Sequence, residues 1–425
     1  MEQRNNVDYS FGLELYLKNN KIVSVENKTT EIIPWIAYAG AVFLNAFGVK
    51  KLREFKDSIN LPYIKVLVES LGLKILASDG LDFIDTRSKN LQTRELKGGS
   101  FAGLSKNYII KKEADKKSGG VEKLINEIKW LLSLDSSLKP YFPHICDYKI
   151  SKDSSYFSMP YYTLENLRSK ILKGKFGLSE VEHYLKQILD FCFNNLYSQK
   201  LANFSGDYVE VRHFGRYYER VEIIKNIEPF SKLLVAKEII INNKSYENLP
   251  HLVEKLREFY KKTHLFKPQF MVRIHGDLHF QNILIDEKND SFLLADPRGE
   301  LNGGDMYYDF GKLFHSFNGL YDLIHTDIAK AKILSIDENR AEFSLILGSE
   351  ALLETYSNIK KLCLELLDSY LLESSWNLKA RFAEVMHFSS LMSFHLKGDG
   401  VENRALCLYL QAIRLASELL KELEI

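Results

Sequence analysis

The sequence predicts an α+β fold in which a small α/β segment is followed by a strand-rich lobe and a larger, mainly helical lobe. From about Leu96 a glycine-rich turn separates two strand-like segments, and beyond Leu178 apolar residues recur mostly at helical spacing. A β-rich island between Met271 and Asp296 interrupts the helical part. At 425 residues the chain is long enough for two or three folding units. We predict that these units span residues 1–92, 93–163 and 164–425.

The composition is that of an ordinary globular protein, with 45% hydrophobic and 27% charged residues. A formal net charge of +1 argues against a strongly basic protein surface that would bind nucleic acid or a membrane. The uncharged stretch 32–49 is interrupted by a proline and an asparagine, which favours a buried strand and turn over membrane insertion. The polar N-terminal residues do not resemble a secretory signal. We therefore expect a cytoplasmic protein.

The four cysteines are widely scattered, without a CxxC pair or a histidine at zinc-finger spacing. Each lies in an apolar or aromatic stretch of sequence. This pattern favours reduced thiols in the core over a metal site or a disulfide.

The first segment reads as strands and short helices. Leu13 to Leu17 and Lys21 to Glu26 flank an Asn-Asn turn and predict a β-hairpin, and an apolar strand at 36–44 and a helix at 61–71 follow. The runs KNNKIVSVENK, AGAVF and FIDTRSKNL resemble the closing third of a sugar-nucleotide nucleotidyltransferase. That family binds nucleotide through a glycine-rich loop near its N-terminus, which has no counterpart here. We expect a remnant without transferase activity.

The strand-rich lobe begins with LKGGSFAGLSKNYIIKKEA, in which a glycine-rich turn joins two strand-like segments. Gly119 and Gly120 then introduce a helix, because apolar residues between Val121 and Leu134 fall on one face. The run SSYFSMPYY predicts a further strand that ends at a connector near Pro160.

Polar side chains surround a short hairpin in the β-rich island. The strands ILI and FLL are separated by the turn-forming DEKNDS. If Asp286 pairs with Ser291, Asn282 lies opposite Ala295 and diagonal to Asp296. Two oxygen-bearing side chains then lie at the open end of the hairpin. Mg²⁺ prefers oxygen ligands and is usually held by one or two protein groups together with substrate phosphates, so this edge is a candidate metal site.

Asp277 precedes Asn282 by five residues and could accept a proton from a hydroxyl group. His275, Gly276, Asp277 and Asn282 match the H-G-D-x-x-x-x-N run of the aminoglycoside phosphotransferase and choline kinase-like group, and Asp296 in LLADPRG matches that group's second metal-binding aspartate. The resemblance implies a two-lobed protein-kinase-like fold, ATP and Mg²⁺ as cofactors, Asp277 as the catalytic base or hydroxyl-orienting group, and Asn282 and Asp296 as metal ligands. The alternative is two turns whose carboxylates cap backbone amides.

The nucleotide would need phosphate-binding groups in the strand-rich lobe. In GGSFAG, Gly98, Gly99 and Gly103 would let backbone amides approach phosphates closely, and Gly99 and Ser100 are the expected contacts, although such turns are often only turns. By the resemblance, a strand-end lysine would pair with the phosphates. We favour Lys111 over Lys112 because it directly follows an apolar run.

Glu127 borders the apolar face of the next helix and could reach Lys111, or it is a solvated charge. Pro160 and Tyr161 fall where the family's interlobe hinge binds adenine through backbone groups. The candidate elements occur in the order that a kinase fold requires, which is the glycine turn, the lysine, the glutamate, the hinge, the HGD-N run and the final aspartate.

The acceptor side is less sharply marked. His279, Arg298 and Asp305 could contact substrate, with a loop hydrogen bond or a surface ion pair as the alternative for the first two, and Asp309 is expected to anchor the loop. The run 208–222, rich in arginine and aromatic residues, could form part of an acceptor pocket or a helix with a mixed face.

The segment after Asp296 leaves no room for a long activation segment, and HGD lacks the arginine of the protein-kinase H-R-D. Both departures favour a small-molecule acceptor over a protein. The sequence predicts an ATP-dependent phosphotransferase acting on a hydroxyl of a sugar or amino alcohol, in activated-sugar or surface-polysaccharide metabolism. The alternative is a non-catalytic nucleotide-binding scaffold.

Overall fold

A computed structural model gives the structure of the chain. It describes residues 13–18, 21–27, 96–97, 103–107, 109–116, 120–201, 204–371, 373–396 and 401–425. The chain divides into two compact units, Met1–Gln92 and Thr93–Ile425. In the first unit, β1 (Leu13–Lys18) and β2 (Lys21–Asn27) pair antiparallel, which confirms the predicted hairpin. The nucleotidyltransferase-like motifs beyond it, the membrane-length stretch and the other elements predicted there lie outside the described residues.

The second unit begins with a five-stranded antiparallel sheet in the order β3-β4-β5-β7-β6. Its strands are β3 (Leu96–Lys97), β4 (Gly103–Asn107), β5 (Ile109–Asp115), β6 (Asp147–Lys149) and β7 (Ser154–Pro160). Helix α1 (Val121–Leu132) follows β5, and its buried Leu124, Ile128 and Leu131 confirm the predicted apolar face. The glycine-rich turn between β3 and β4 lies outside the described residues.

The rest of the unit is mainly helical, and the α+β fold class is as predicted. Its elements up to the β-rich island are β8 (Glu165–Asn166), α2 (Leu167–Leu172), α3 (Leu178–Phe191), β9 (Lys200–Leu201), α4 (Arg216–Ile224), α5 (Phe230–Leu233), β10 (Glu238–Ile241), β11 (Lys244–Glu247) and α6 (Leu249–Thr263). The later elements are β12 (Met271–Val272), β13 (Ile283–Asp286), β14 (Ser291–Leu294), α7 (Met306–Phe317), α8 (Tyr321–Ile324), β15 (Lys330–Ile336), β16 (Arg340–Ile346), α9 (Glu350–Tyr370), α10 (Trp376–Ser389) and α11 (Val401–Glu422).

A four-stranded sheet in the helical part was not predicted, so confining strands to the island between Met271 and Asp296 was wrong. Its order is β11-β10-β16-β15, and β10 pairs with β16 in parallel. Strand β16 alternates buried Ala341, Phe343 and Leu345 with more exposed positions, as a half-buried strand does. Strand β10, with which β16 pairs in parallel, lies about a hundred residues earlier in the chain. No short-range pattern in the sequence therefore indicates this pairing.

Two buried clusters hold the second unit together. The first joins α1, α3 and the β13–β14 hairpin to α7 and α9. It includes Ile274, Leu278 and Ile283, which lie around the loop of His275, Gly276 and Asp277, called the HGD loop below. The second joins the four-stranded sheet β11-β10-β16-β15, called the additional sheet below, to α6, α10 and the almost fully buried face of α11. The candidate site residues around the HGD loop are therefore polar side chains that lie among the apolar residues of the first cluster.

Three of the four free cysteines are buried as expected, whereas Cys146 is exposed. Partial desolvation and the neighbouring Asp147 raise the pKa of the Cys146 thiol to about 11. Among the described helices, none has the length and apolar character needed to cross a membrane.

Candidate active site

The hairpin that carries Asn282 and Asp296 has the predicted register. Asp286 pairs with Ser291 and Ile283 with Leu294, and the Ala295 amide donates a hydrogen bond to the Asn282 carbonyl at 2.8 Å. Asp296 follows with a φ of +58°, a left-handed conformation that aspartate tolerates better than most residues. This turn brings its carboxylate back to the open end of the hairpin.

Asp309 fixes the backbone of the HGD loop through hydrogen bonds. Its buried carboxylate accepts hydrogen bonds from the backbone amides of His275 at 2.9 Å and Gly276 at 2.6 Å, and from the Tyr197 hydroxyl at 3.2 Å. The predicted anchoring role of Asp309 is confirmed. Gly276 has a φ of +81°, and a Cβ there would lie only 2.6 Å from the Cβ of Arg298, so glycine is required on both counts.

Asp277 lies at the end of this anchored loop between two nitrogen-bearing side chains. Its Oδ1 lies 2.9 Å from Nζ of Lys312, and its Oδ2 lies 3.7 Å from Nε2 of His279. Burial alone would raise the pKa of Asp277, but Lys312, His279 and Arg298 hold it well below its ordinary value. The carboxylate is therefore ionised at neutral pH and can accept a hydrogen bond from a hydroxyl group.

Lys312 was not predicted from the sequence as a residue of the site. It lies in the run MYYDFGKLFHSF, where it is a single cation in an otherwise apolar part of α7, and its side chain is only 6% exposed. A lysine so placed needs a buried acidic partner. Its position one turn after Asp309 was the available signal, because residues three apart on a helix share a face.

Asn282 and Asp296 fit a magnesium site. The Asn282 side-chain amide donates through Nδ2 to the Asp277 carbonyl at 2.9 Å, which leaves Oδ1 as a potential cation ligand. One amide oxygen and one carboxylate suit an ion that keeps several waters and binds substrate phosphates. No three His, Cys, Asp or Glu side chains in the described ranges come together as a metal site.

The lysine that reaches this edge is Lys112, and the predicted contact of Lys111 with Glu127 is wrong. Nζ of Lys112 lies 2.7 Å from both carboxylate oxygens of Glu127 and also forms an ion pair with Asp296. Lys111 pairs instead with Glu113 at 2.5 Å and has 43% of its side chain exposed. The reason is strand alternation, because Lys112 and Ala114 are buried whereas the side chains of Lys111 and Glu113 lie on the other face and are 43% and 56% exposed.

Lys112 is held as a cation. Burial would lower its pKa, but Asp296 and Glu127 together raise it above the ordinary value of lysine. The Glu127 side chain is only 3% exposed and the Asp296 side chain 27% exposed, so the pair is open to solvent only on the Asp296 side. A ligand can therefore approach Lys112 from the side of Asp296.

The other residues predicted for nucleotide binding stay predictions. Gly99 and Ser100 lie outside the described residues. Pro160 ends β7 opposite Ile109, and Tyr161 follows it as a half-buried residue.

Of the residues predicted to contact the acceptor, His279 and Arg298 lie near Asp277. His279 is buried with its ring against Tyr321. Arg298 donates its backbone amide to the His275 carbonyl at 2.8 Å. Asp305 is buried and caps α7 by accepting from the Tyr307 amide at 3.1 Å, which is a structural use, and its contact with substrate stays a prediction.

Neither a family model nor a curated protein matches the sequence. The chain is similar in structure to small-molecule kinases. Choline kinase LicA from Streptococcus pneumoniae is 14% identical over 77% of this chain and 94% of that chain, with a TM-score of 0.45. The ADP-bound aminoglycoside phosphotransferase APH(2'')-Ib is 12% identical over 78% and 94% of the two chains, with a TM-score of 0.41. The aminoglycoside phosphotransferase in the gentamicin–APH(2'')-IIa complex is 14% identical over 78% and 91%, with a TM-score of 0.39.

Proposed function

We propose that the protein is an ATP-dependent phosphotransferase that moves the γ-phosphoryl group of ATP to a hydroxyl group of a small metabolite. The observation that carries the proposal is one connected polar network. Glu127 binds Lys112, and Lys112 binds Asp296, a residue 184 positions later in the chain. The hairpin then connects Asp296 to Asn282, which bonds to the backbone of Asp277.

The network divides the work of phosphoryl transfer between two ends. At one end, Lys112 would offset the negative charge of the phosphates, with Glu127 holding the lysine in place. Asn282 and Asp296 would hold Mg²⁺, which, when bound, neutralises charge on the phosphate oxygens. At the other end, Asp277 would bind the acceptor hydroxyl.

The low pKa of Asp277 bears on which role it has. A carboxylate held ionised by Lys312 and His279 is a weak base but a good hydrogen-bond acceptor. In a loose transition state the nucleophile needs orientation more than early deprotonation. Asp277 would therefore orient the hydroxyl and take its proton late in the transfer.

The experiment combines an acceptor screen with a variant of Asp277. Sugars, amino alcohols and aminoglycosides are incubated with Mg-ATP, and the gain of one phosphoryl group is followed by mass spectrometry. Once an acceptor is found, Asp277→Asn should lower turnover by at least about a hundredfold while keeping the thermal stabilisation by Mg-ATP.

Asp286→Asn is the matched control, because Asp286 lies at the far end of β13 and its carboxylate accepts a hydrogen bond from the Asn289 side chain, within the turn, at 2.7 Å. Undiminished turnover in Asp277→Asn would contradict the assignment. Absence of any thermal shift of the unaltered protein at millimolar Mg-ATP would instead favour the non-catalytic scaffold.

The nucleotidyltransferase-like motifs before residue 92 lead us to place this activity in activated-sugar or surface-polysaccharide metabolism. Sugars that occur as nucleotide conjugates are accordingly the first acceptors to screen.

A further inference from the structure

Beside Asp277 lies a group of cations that phosphoryl transfer itself does not require. We call Arg216, Arg220, Arg298 and Lys312 the basic cluster. Arg220 lies one turn after Arg216 on α4, and its guanidinium lies 4.4 Å from the centre of the Phe394 ring. Arg216 opens α4 and donates through Nη1 to the Tyr308 hydroxyl at 2.6 Å. The guanidinium of Arg298 lies 5.8 Å from the centre of the same tyrosine ring. Two arginines from distant parts of the chain therefore meet at one buried side chain.

The cluster is joined to the HGD loop by direct contacts. Lys312 lies 2.9 Å from Asp277, and it follows Tyr308 by four residues on α7, which places both on one face of that helix. The Arg298 backbone bonds to His275, and its Cβ fills the space beside Gly276. The positive charge therefore lies on the α4 and α7 side of the group proposed to hold the acceptor hydroxyl.

The acidic side chains nearby are already engaged. Asp277 pairs with Lys312, and Glu300 is shared between Arg212, with which it forms an ion pair, and Arg298 at 3.7 Å. Within the part of the chain that the structure describes, Arg216 and Arg220 form no ion pair with a carboxylate, and their buried Nε atoms have no hydrogen-bond partner.

The surplus charge does not come from the neighbouring His213 and His387, since burial lowers the pKa of His213 to about 3 and that of His387 well below its ordinary value. Burial would raise the pKa of Tyr308, but Arg216, Arg298 and Lys312 lower it instead. Holding arginines close together with fewer carboxylates than guanidinium groups costs free energy, and a bound anion would recover it.

We propose that the acceptor is an anionic hydroxy compound whose carboxylate or phosphate group binds Arg216, Arg220 and Arg298 while its hydroxyl lies against Asp277. Arginine suits this task because its planar fork of donors matches the oxygens of both groups. A cationic amino alcohol would be repelled from the same place. This inference rests on the proposed kinase function and narrows its acceptor to sugar acids, sugar phosphates and compounds of similar chemistry.

The test uses matched pairs of probes that differ in one anionic group. Thermal unfolding of the full chain is measured with saturating Mg²⁺ and a non-hydrolysable ATP analogue, so that the nucleotide phosphate positions are filled. Gluconate is compared with sorbitol, and glucose 6-phosphate with glucose, at constant ionic strength because salt screens weak charge contacts. We expect an anionic member to raise the unfolding midpoint and its neutral partner to leave it unchanged.

The variants Arg216→Gln and Arg298→Gln should weaken binding of the effective anion by about tenfold or more, because each removes a charge-assisted hydrogen bond. Arg340→Gln is the control, since Arg340 opens β16 and its side chain is 51% exposed. The stabilisation by the nucleotide analogue shows that each variant is folded. A carboxylate preference and a phosphate preference are told apart by which pair responds.

Equal responses to both members of each pair, or none to any of the four, would overturn the inference, as would retained anion binding in both arginine variants. A failure of the proposed function looks different, because the nucleotide analogue itself would then give no shift.

Discussion

Exchanging one of two adjacent lysines is the sharpest test of how the site is built. Lys112→Met removes the cation between Glu127 and Asp296, whereas Lys111→Met removes a solvent-exposed partner of Glu113. Both variants change the same residue type on the same strand. Any difference between them therefore reports where the side chain points.

The burial of each pair sets the magnitude. Lys112 is 7% and Glu127 2% exposed, and removing one partner of a buried pair costs about 3–5 kcal/mol because the other charge is left uncompensated. An exposed pair is worth about 0–1 kcal/mol, so Lys111→Met should be nearly neutral. With an unfolding entropy of about 2.1 cal/mol/K per residue over the roughly 330 residues of Thr93–Ile425, the first variant should melt about 4–7 °C lower.

The assay is urea and thermal unfolding of both variants, with and without Mg-ATP. Stabilisation by Mg-ATP should disappear in Lys112→Met and persist in Lys111→Met. Burial raises the pKa of Glu127 to about 7 even beside Lys112, which lowers it, and the pKa would rise further without the lysine. The carboxyl would then keep its proton in the folded variant at a pH where it is ionised in the unaltered protein and in the unfolded chain. The stability deficit should therefore be smaller at pH 6 than at pH 8.

A double variant separates the structural role of Lys112 from its role toward nucleotide. Replacing the buried pair by apolar groups, as in Lys112→Met with Glu127→Leu, should recover most of the lost stability. It should not recover the response to Mg-ATP. The reasoning is refuted if Lys111→Met proves the more damaging single change, or if the double variant responds to Mg-ATP like the unaltered protein.

Two further predictions concern the loop and the interior of the helical part. Gly276→Ala should abolish turnover and destabilise the fold by more than the about 1–2 kcal/mol of left-handed strain, because its Cβ meets Arg298 at 2.6 Å. Gly174→Ala, where φ is +63° and nothing lies within 4 Å, should cost the strain alone, and equal losses in urea unfolding would contradict the steric argument. For Glu384, burial raises the pKa to about 8, so the folded state binds a proton that the unfolded state lacks and stability falls by about 1.4 kcal/mol per pH unit between roughly pH 5 and 8. Glu384→Gln should remove that slope, and an unchanged pH dependence of urea unfolding would contradict it.

The local patterns of the sequence predicted the parts of the site that depend on short-range geometry. The hairpin register followed from two short apolar strands and a turn of fixed length, so the placement of Asn282 opposite Ala295 needed no tertiary information. The same alternation, applied to IIKKEA, would have selected Lys112, since Ile110, Lys112 and Ala114 share a face. The apolar run before Lys111 was the weaker signal, because a strand buries alternate residues and not consecutive ones.

What the sequence did not predict depends on long-range contacts. Lys312 stands out as a cation in an apolar helix, yet its partner Asp277 is 35 residues away in the chain, and the Asp309 anchor attaches the loop of Asp277 to the same helix. The additional sheet pairs Ile239 with Ala341, and neither strand alone is distinctive. Patterns within a short stretch of sequence indicate which residues are buried and where turns occur. Pairing between distant stretches depends on how the whole fold packs.

The parallel pairing of β10 with β16 also constrains the order of folding. The β13–β14 hairpin, the HGD loop and α7 all lie in the chain between these two strands, within a loop of roughly a hundred residues whose closure costs conformational entropy. Contacts of such large sequence separation form slowly, so the sheet is expected to be completed late. The segment that carries Asp277, Asp296 and Lys312 is thus not a separable module. A chain released before Arg340 would contain these three residues but could not close the loop around them.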